Sequence, residues 1–181
     1  MNALEIRKPL IAYHQHSDDR RTSEVLSMLV QGKSLALVTD AGTPGISDPG
    51  GKLVEGIVSK LPEVVIVPIP GPNAAIAALS VSGFPADAFL FLGFPPHKKG
   101  RRAYFERVAE NEDTVVFYES THRIMKTLVE LAPLIDDRRI CVGRELTKLH
   151  ETIYRGTAAE VTEQLKSTSI KGEFVIVLAP K

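Results

Sequence analysis

An apolar run, Leu35 to Val38, leads into the eleven residues DAGTPGISDPG, Asp40 to Gly50, and these lead into a stretch of helical spacing. The apolar run reads as a short buried strand. Three glycines and two prolines then turn the chain sharply. Asp48-Pro49 has the form of a helix N-cap followed by proline at the first helical position. Leu53, Val54, Ile57, Val58 and Leu61 recur at helical spacing beyond it. A loop between the carboxyl end of a strand and the amino end of a helix is where α/β sheets bind ligands. Gly42 and Gly45 carry no side chain, so backbone N–H groups there can approach a small molecule closely. A tight turn without a ligand is the alternative, and so much special chemistry in one loop favours a site.

Strand-like and helix-like runs alternate along most of the chain. Leu10–Tyr13 is a strand candidate, and Thr22–Val30 a helix closed by Gly32. After the Leu35 strand and its helix comes Val64–Ile69, a β-branched run suited to a buried parallel strand. PGPN, Pro70 to Asn73, turns the chain, with Asn73 capping a helix Ala74–Ser82 that Gly83 ends. This half predicts a right-handed β-α-β-α-β-α unit. Phe84-Pro85 breaks the pattern. A strand from Phe89 to Phe94, a basic loop PPHKKGRR (Pro95 to Arg102) and a helix over Ala103–Ala109 follow. A strand Thr114–Tyr118 and a helix Thr121–Ala132 come next, the helix placing Ile124, Leu128 and Leu131 on one face. Strands at Arg139–Val142 and Thr152–Arg155 flank GRELTKLHE, Gly143 to Glu151. A helix Ala158–Leu165 and a strand Phe174–Leu178 complete the pattern. The expected fold is α/β in two lobes, residues 1–84 with a mainly parallel sheet and residues 85–181 with a mixed one.

Composition excludes several classes. Twenty-two basic and 22 acidic residues leave no global attraction to nucleic acid or membrane, so a charged partner must meet a local patch. A lone cysteine, Cys141, excludes an internal disulfide framework and a cysteine zinc cluster. No apolar run approaches the roughly 20 residues that span a bilayer, and MNALEIRKPL lacks a secretory signal's apolar core. A cytoplasmic protein without a membrane partner is the expectation.

Four motifs together resemble one family: LVTDAGTPGISDPG (Leu37 to Gly50), PIPGPNAAIAALSVSGF (Pro68 to Phe84), FYESTHR (Phe117 to Arg123) and GRELTKLHE. In order and spacing they are similar to the bacterial 16S ribosomal RNA (cytidine-2'-O)-methyltransferases of the tetrapyrrole methylase superfamily. The first two motifs belong broadly to that superfamily, the last two to its ribosomal RNA branch. The resemblance implies two α/β lobes, a homodimer, S-adenosylmethionine as methyl donor, 16S ribosomal RNA or the small subunit as substrate, and no metal. It places donor contacts at Ala41, Gly42, Thr43, Pro44, Ile46 and Ser47, and at Pro72, Asn73 and Ala74. Further contacts fall at Tyr118, Glu119 and Ser120, and at Gly172 and Phe174. Gly42 and Thr43 could bond the donor's amino-acid end, the helix opened at Asn73 could favour its carboxylate, and Glu119 could face the sulfonium. The family's usual segment before the equivalent of Pro9, with a glycine-bearing loop of the donor cleft, has no counterpart here. The chain is therefore expected to be a truncated enzyme whose uncovered strand edges favour association.

The remaining candidates divide by chemistry. Lys98, Lys99, Arg101 and Arg102 form a cationic group suited to phosphate; an isolated cluster of this kind is more often a solvated loop, but the resemblance favours an RNA-binding patch. In GRELTKLHE, Lys148 could lower the pKa of a ribose 2'-hydroxyl by its charge, while Glu145 could accept the proton or orient the lysine. An exposed charged connection is the alternative. His14 and His16 have the spacing of one strand face, but no third metal ligand is apparent. Asp40 and Asp48 read as capping or loop-fixing groups. A methyltransferase for a tetrapyrrole or other small molecule stays open as a second function. A truncated chain that only binds or dimerises is a third.

Overall fold

The computed structural model describes residues 5–14 and 19–181, so His16 lies outside the described residues. They form two compact units, one ending at Pro72 and one beginning at Asn73.

In the first unit α1 (Asp19–Val30) packs against α2 (Gly51–Lys60). Val25, Leu26 and Leu53 are its buried apolar side chains. Helix α1 ends as its glycine predicts: Gly32 has φ 78°, its N–H donates to Leu29 C=O, and Lys33 N–H donates to Met28 C=O. The expected sheet of this half is not formed. Residues 10–13, 35–38 and 64–69 belong to no strand, and the described part of the unit has none. Val65 and Ile69 are 82% and 78% exposed. A β-branched run becomes a strand only when a neighbour takes up its backbone groups, and none does so here.

The second unit matches its expected pattern closely. It comprises α3 (Ala74–Ser80), β1 (Phe89–Phe91), α4 (Arg101–Glu110), β2 (Thr114–Ser120), α5 (Ile124–Ile135), β3 (Ile140–Arg144), β4 (Thr152–Gly156), α6 (Ala158–Ser167) and β5 (Glu173–Leu178). The strands form one mixed sheet in the order β1-β2-β5-β3-β4, with only β1 and β2 parallel. Strand alternation separates two cores. Val115, Phe117, Ile140, Val142, Phe174 and Ile176 pack against α4, α5 and α6, whereas Val116, Cys141, Val175 and Val177 pack against Ala75, Ala78 and Leu79 of α3. Helix α3, expected among the elements before residue 84, thus makes its contacts with β2, β3 and β5.

Local chemistry explains the helix ends. Asn73 Oδ1 accepts from Ala75 N–H (3.0 Å) and Ile76 N–H (3.2 Å), capping α3 as expected. Thr157 and Glu160 form a reciprocal capping box on α6. Helix α5 starts at Ile124 rather than Thr121, because the Thr121 hydroxyl bonds both N–H and C=O of Gly172.

Candidate functional site

The Asp40–Gly50 loop is shaped by left-handed backbone at Gly42 (φ 74°), Gly45 (φ 82°) and Ser47 (φ 56°). Ile46 N–H donates to Thr43 C=O at 3.3 Å, and Thr43 Oγ1 donates to Pro72 C=O at 3.0 Å. Two of the expected donor-contact segments are therefore tied together. Asp48 does not cap α2. Its carboxylate accepts from Thr39 Oγ1 (3.3 Å), and the helix begins after Gly50 without a side-chain cap. The Gly50 φ of 133° and the Leu37 side chain, 2.7 Å from where a Cβ would stand, explain glycine there. Asp48 is a loop-fixing residue.

In the second unit, two of the amides at the start of α3 are already engaged. Asn73 takes those of Ala75 and Ile76, and the Tyr118 hydroxyl lies 3.3 Å from Ala75 N. Asn73 thus takes up two of the N–H groups that the expected carboxylate contact would have shared. Tyr118 packs its ring against Phe91 and Phe94, with centroids 5.1 and 5.3 Å apart.

Glu119 occupies a different environment from its neighbour. Strand alternation puts it on the Phe117 face, where it is fully buried. Its Oε1 accepts from Ser120 N–H (2.7 Å) and pairs with Arg123 Nε (2.9 Å). Its Oε2 accepts from Thr127 Oγ1 (2.6 Å) and lies 3.7 Å from Arg101. Both oxygens are engaged, so a sulfonium would find no vacant carboxylate here. Ser120 Oγ accepts from Arg123 Nε at 3.2 Å.

The cationic loop divides in the same way. Lys98, Lys99 and Arg102 are exposed, and Arg102 pairs with Glu106 at 2.7 Å. Arg101 is buried. It pairs with Glu130 (2.7 Å), donates to Thr127 Oγ1 (2.7 Å), and its guanidinium stands 4.8 Å from the centre of the Phe105 ring. Arg101 therefore leaves the set of side chains that could meet an RNA phosphate.

Glu145 and Lys148 are brought together with a residue that sequence reading did not single out. Lys148 Nζ donates to Glu145 Oε1 (3.0 Å) and Glu173 Oε2 (2.9 Å), while Glu173 N–H donates to Glu145 Oε1 (2.8 Å). The Glu173 backbone N–H and Lys148 hold the Glu145 carboxyl below its usual range, and the Glu173 and Glu145 carboxylates push the Lys148 ammonium up. Gly172, φ 125°, gives room to this trio, since a Cβ would lie 2.6 Å from Glu145 Cγ. Buried Arg144 secures the same loop, donating to Lys171 C=O (2.6 Å) and His150 C=O (3.1 Å). Phe174 is core, so only its backbone could meet a ligand.

Among the described residues no helix is long and apolar enough to cross a membrane. A surface depression in the second unit is lined by Met125, Leu165, Thr168, Ile170 and Lys171, the last of these next to Gly172.

The model of the tetrapyrrole (corrin/porphyrin) methylases matches residues 8–162, and the chain belongs to that family. Within it, the chain is 39% identical over 181 residues to ribosomal RNA small subunit methyltransferase I of Thermotoga maritima, spanning all of this chain and 81% of that protein. The same-named protein of Halalkalibacterium halodurans is 40% identical over 98% of this chain, and that of Xylella fastidiosa 45% over 96%. The chain spans 61% and 64% of the length of those two relatives. Two solved structures share the fold. The cobalamin biosynthetic enzyme cobalt precorrin-4 methyltransferase superimposes with a TM-score of 0.63 at 18% identity, over 91% of this chain and 72% of its own. Uroporphyrin-III C-methyltransferase of Thermus thermophilus, complexed with S-adenyl homocysteine, gives 0.56 at 16%, over 88% of this chain and 72% of its own.

Proposed function

We propose that this chain transfers a methyl group from S-adenosylmethionine to the ribose 2'-oxygen of a cytidine in 16S ribosomal RNA. The observation that carries this reading is the 39% identity, over the whole chain, to a protein named ribosomal RNA small subunit methyltransferase I. The donor contacts we assign are backbone groups of Ala41, Gly42, Thr43, Pro44, Ile46 and Ser47, with Pro72, Asn73, Ala74, Tyr118, Ser120, Gly172 and Phe174. Loop 41–47 fits such a donor: beyond its chain neighbours, and among the described residues, Pro72 O at 3.9 Å is all that stands near the place of a Gly42 Cβ. Glu119 is not among these contacts.

The reaction needs alignment more than acid–base power. The 2'-oxygen attacks the methyl carbon, the carbon–sulfur bond breaks with its electrons going to sulfur, and the hydroxyl proton leaves to water. Glu145 is made a poorer base by the bonds that Lys148 and the Glu173 N–H give to its ionised form. Its role is to orient Lys148. The Lys148 ammonium then favours negative charge developing on the 2'-oxygen. Its effect is moderated by the two carboxylates beside it.

Incubation with methyl-labelled S-adenosylmethionine and small ribosomal subunits tests the reading. Label is expected on a cytidine 2'-oxygen, and transfer should fall steeply with added salt as phosphate contacts are screened. Replacing Lys98, Lys99 and Arg102 by neutral residues should flatten that salt slope and leave donor affinity unchanged. Label in a tetrapyrrole, with none in RNA, would establish the second function instead.

Pairing with another copy belongs to the same reading. Val38, Val65, Val67 and Ile69, between 65% and 82% exposed in the first unit, supply apolar surface that association would cover. Light scattering at high micromolar concentration should give at least a dimer; a clean monomer would refute this part.

A further inference from the structure

We propose that Glu119 is a positioning residue for the cationic loop Pro95–Gly100, acting through two arginines that each grip the loop's backbone. This rests on the reading above only in the purpose it gives the loop. The geometry is independent of that purpose. Arg123 pairs with Glu119 through Nε (2.9 Å) and donates through Nη1 to Pro95 C=O (2.9 Å). Arg101 lies 3.7 Å from Glu119 and donates through Nη1 to Pro96 C=O (3.2 Å). Two successive carbonyls at the start of the loop are thus held by two guanidinium groups that share one buried carboxylate.

The far end of the loop is fixed by the same residue. Arg101 N–H donates to Lys98 C=O (3.2 Å), closing a turn over Lys98–Arg101 whose third residue, Gly100, is left-handed at φ 83°. Arg101 therefore contacts the loop twice, once by side chain and once by backbone. Between these points His97, Lys98 and Lys99 are exposed. These three side chains face water, whereas Pro95 is buried and the backbone is held by the two arginines.

Thr127 completes the arrangement. Its hydroxyl donates to Glu119 Oε2 (2.6 Å) and accepts from Arg101 Nη2 (2.7 Å), so Arg101 is coupled to Glu119 through a bridging hydroxyl as well as by charge. Glu130, at 2.7 Å from Arg101, balances the second cation. Arg101 and Arg123 compensate Glu119, while Glu130 also meets the exposed Lys126 (3.6 Å), so Glu119 is fully buried without an uncompensated charge. A planar guanidinium with several fixed donors can bond a carboxylate and a carbonyl at once, which a lysine ammonium does less well in a fixed geometry.

Functionally, the anchor sets where Lys98 and Lys99 stand. Phosphate contacts position a nucleic acid without reading its bases, so their value depends on being held in register with the rest of the site. A loop free to move would pay ordering entropy on binding, which a pre-anchored one avoids.

The test compares Glu119→Gln and Arg123→Lys chains with the unaltered one. Glu119→Gln keeps the shape and removes the charge. Arg123→Lys keeps a cation beside Glu119 and loses the fork that reaches Pro95. Trypsin cleavage after Lys98 and Lys99 should speed up about tenfold in both, as the loop opens locally. Cleavage after Lys166, on α6, should keep its rate and thereby report an intact fold. Affinity for a 16S ribosomal RNA transcript should fall about tenfold, more than any change in S-adenosylmethionine affinity passed on through Ser120, which both residues bond. Unchanged cleavage at Lys98 and Lys99 in both folded variants would overturn the anchor, as would lost donor affinity with an unmoved loop. Faster cleavage with unaltered RNA affinity would leave the anchor standing and refute the RNA role of the loop.

Discussion

Gly42→Val is expected to reduce affinity for S-adenosylmethionine by about 100-fold or more, roughly 2.7 kcal/mol, with the second unit still folded. Two effects combine. A β-branched residue at φ 74° is strained, at a cost of about 1–3 kcal/mol that the loop would relieve by turning away. That movement would break the bond from Thr43 Oγ1 to Pro72 C=O, which ties the two donor-contact segments. The new side chain would also cover the backbone that we assign to the donor. Gly32→Val separates strain from site. Gly32 has nearly the same backbone, φ 78°, with no atom of the described residues within 4 Å of a Cβ beyond its chain neighbours, and it ends α1 outside the donor loop. Both variants should lose similar stability in urea titration, but only Gly42→Val should lose the donor in calorimetric titration. Equal donor affinity in the two would remove loop 41–47 from the site.

The contrast between those glycines shows what was legible in the chain. Features fixed by near neighbours were readable: Gly32 closes α1, Asn73 caps α3, and Ile124, Leu128 and Leu131 lie on the buried face of α5. Features fixed by distant partners were not. Arg101 stands in PPHKKGRR looking like its neighbours, yet Glu119, Thr127 and Glu130, all far along the chain, draw it inward. Glu119 could have been placed from strand parity, since it alternates in phase with Val115 and Phe117 and out of phase with Tyr118. Its spacing to Arg123 on the following turn was a second signal. Glu173 offered none, because its link to Lys148 depends on β3 and β5 being antiparallel neighbours. The runs 10–13, 35–38 and 64–69 failed for the complementary reason: strand propensity names a candidate, and only a partner makes a ladder.

Lys148→Met should slow methyl transfer by about 10- to 100-fold while donor affinity is retained. The upper end is what removing a charge from beside a developing oxyanion would give in a dry site. The lower end reflects Glu145 and Glu173, which offset the ammonium, and its partial exposure to solvent. Lys148→Arg keeps the charge and should recover part of the rate, which a purely structural role would not require. The pH dependence follows from the direction of each shift. Glu145 is depressed, so its small contribution to stability is present above the ordinary carboxylate range and is lost as pH falls through its folded value. Lys148 is raised, so its contribution is present below the ordinary lysine range and is lost only as pH rises through a still more alkaline value. Between about pH 6 and 9 both groups keep their charge, and neither should produce an inflection in the transfer rate. The profile of Lys148→Met should then parallel that of the unaltered chain at a lower level. An unchanged rate in the folded Met variant, or equal rates for Met and Arg, would take the lysine's charge out of the reaction.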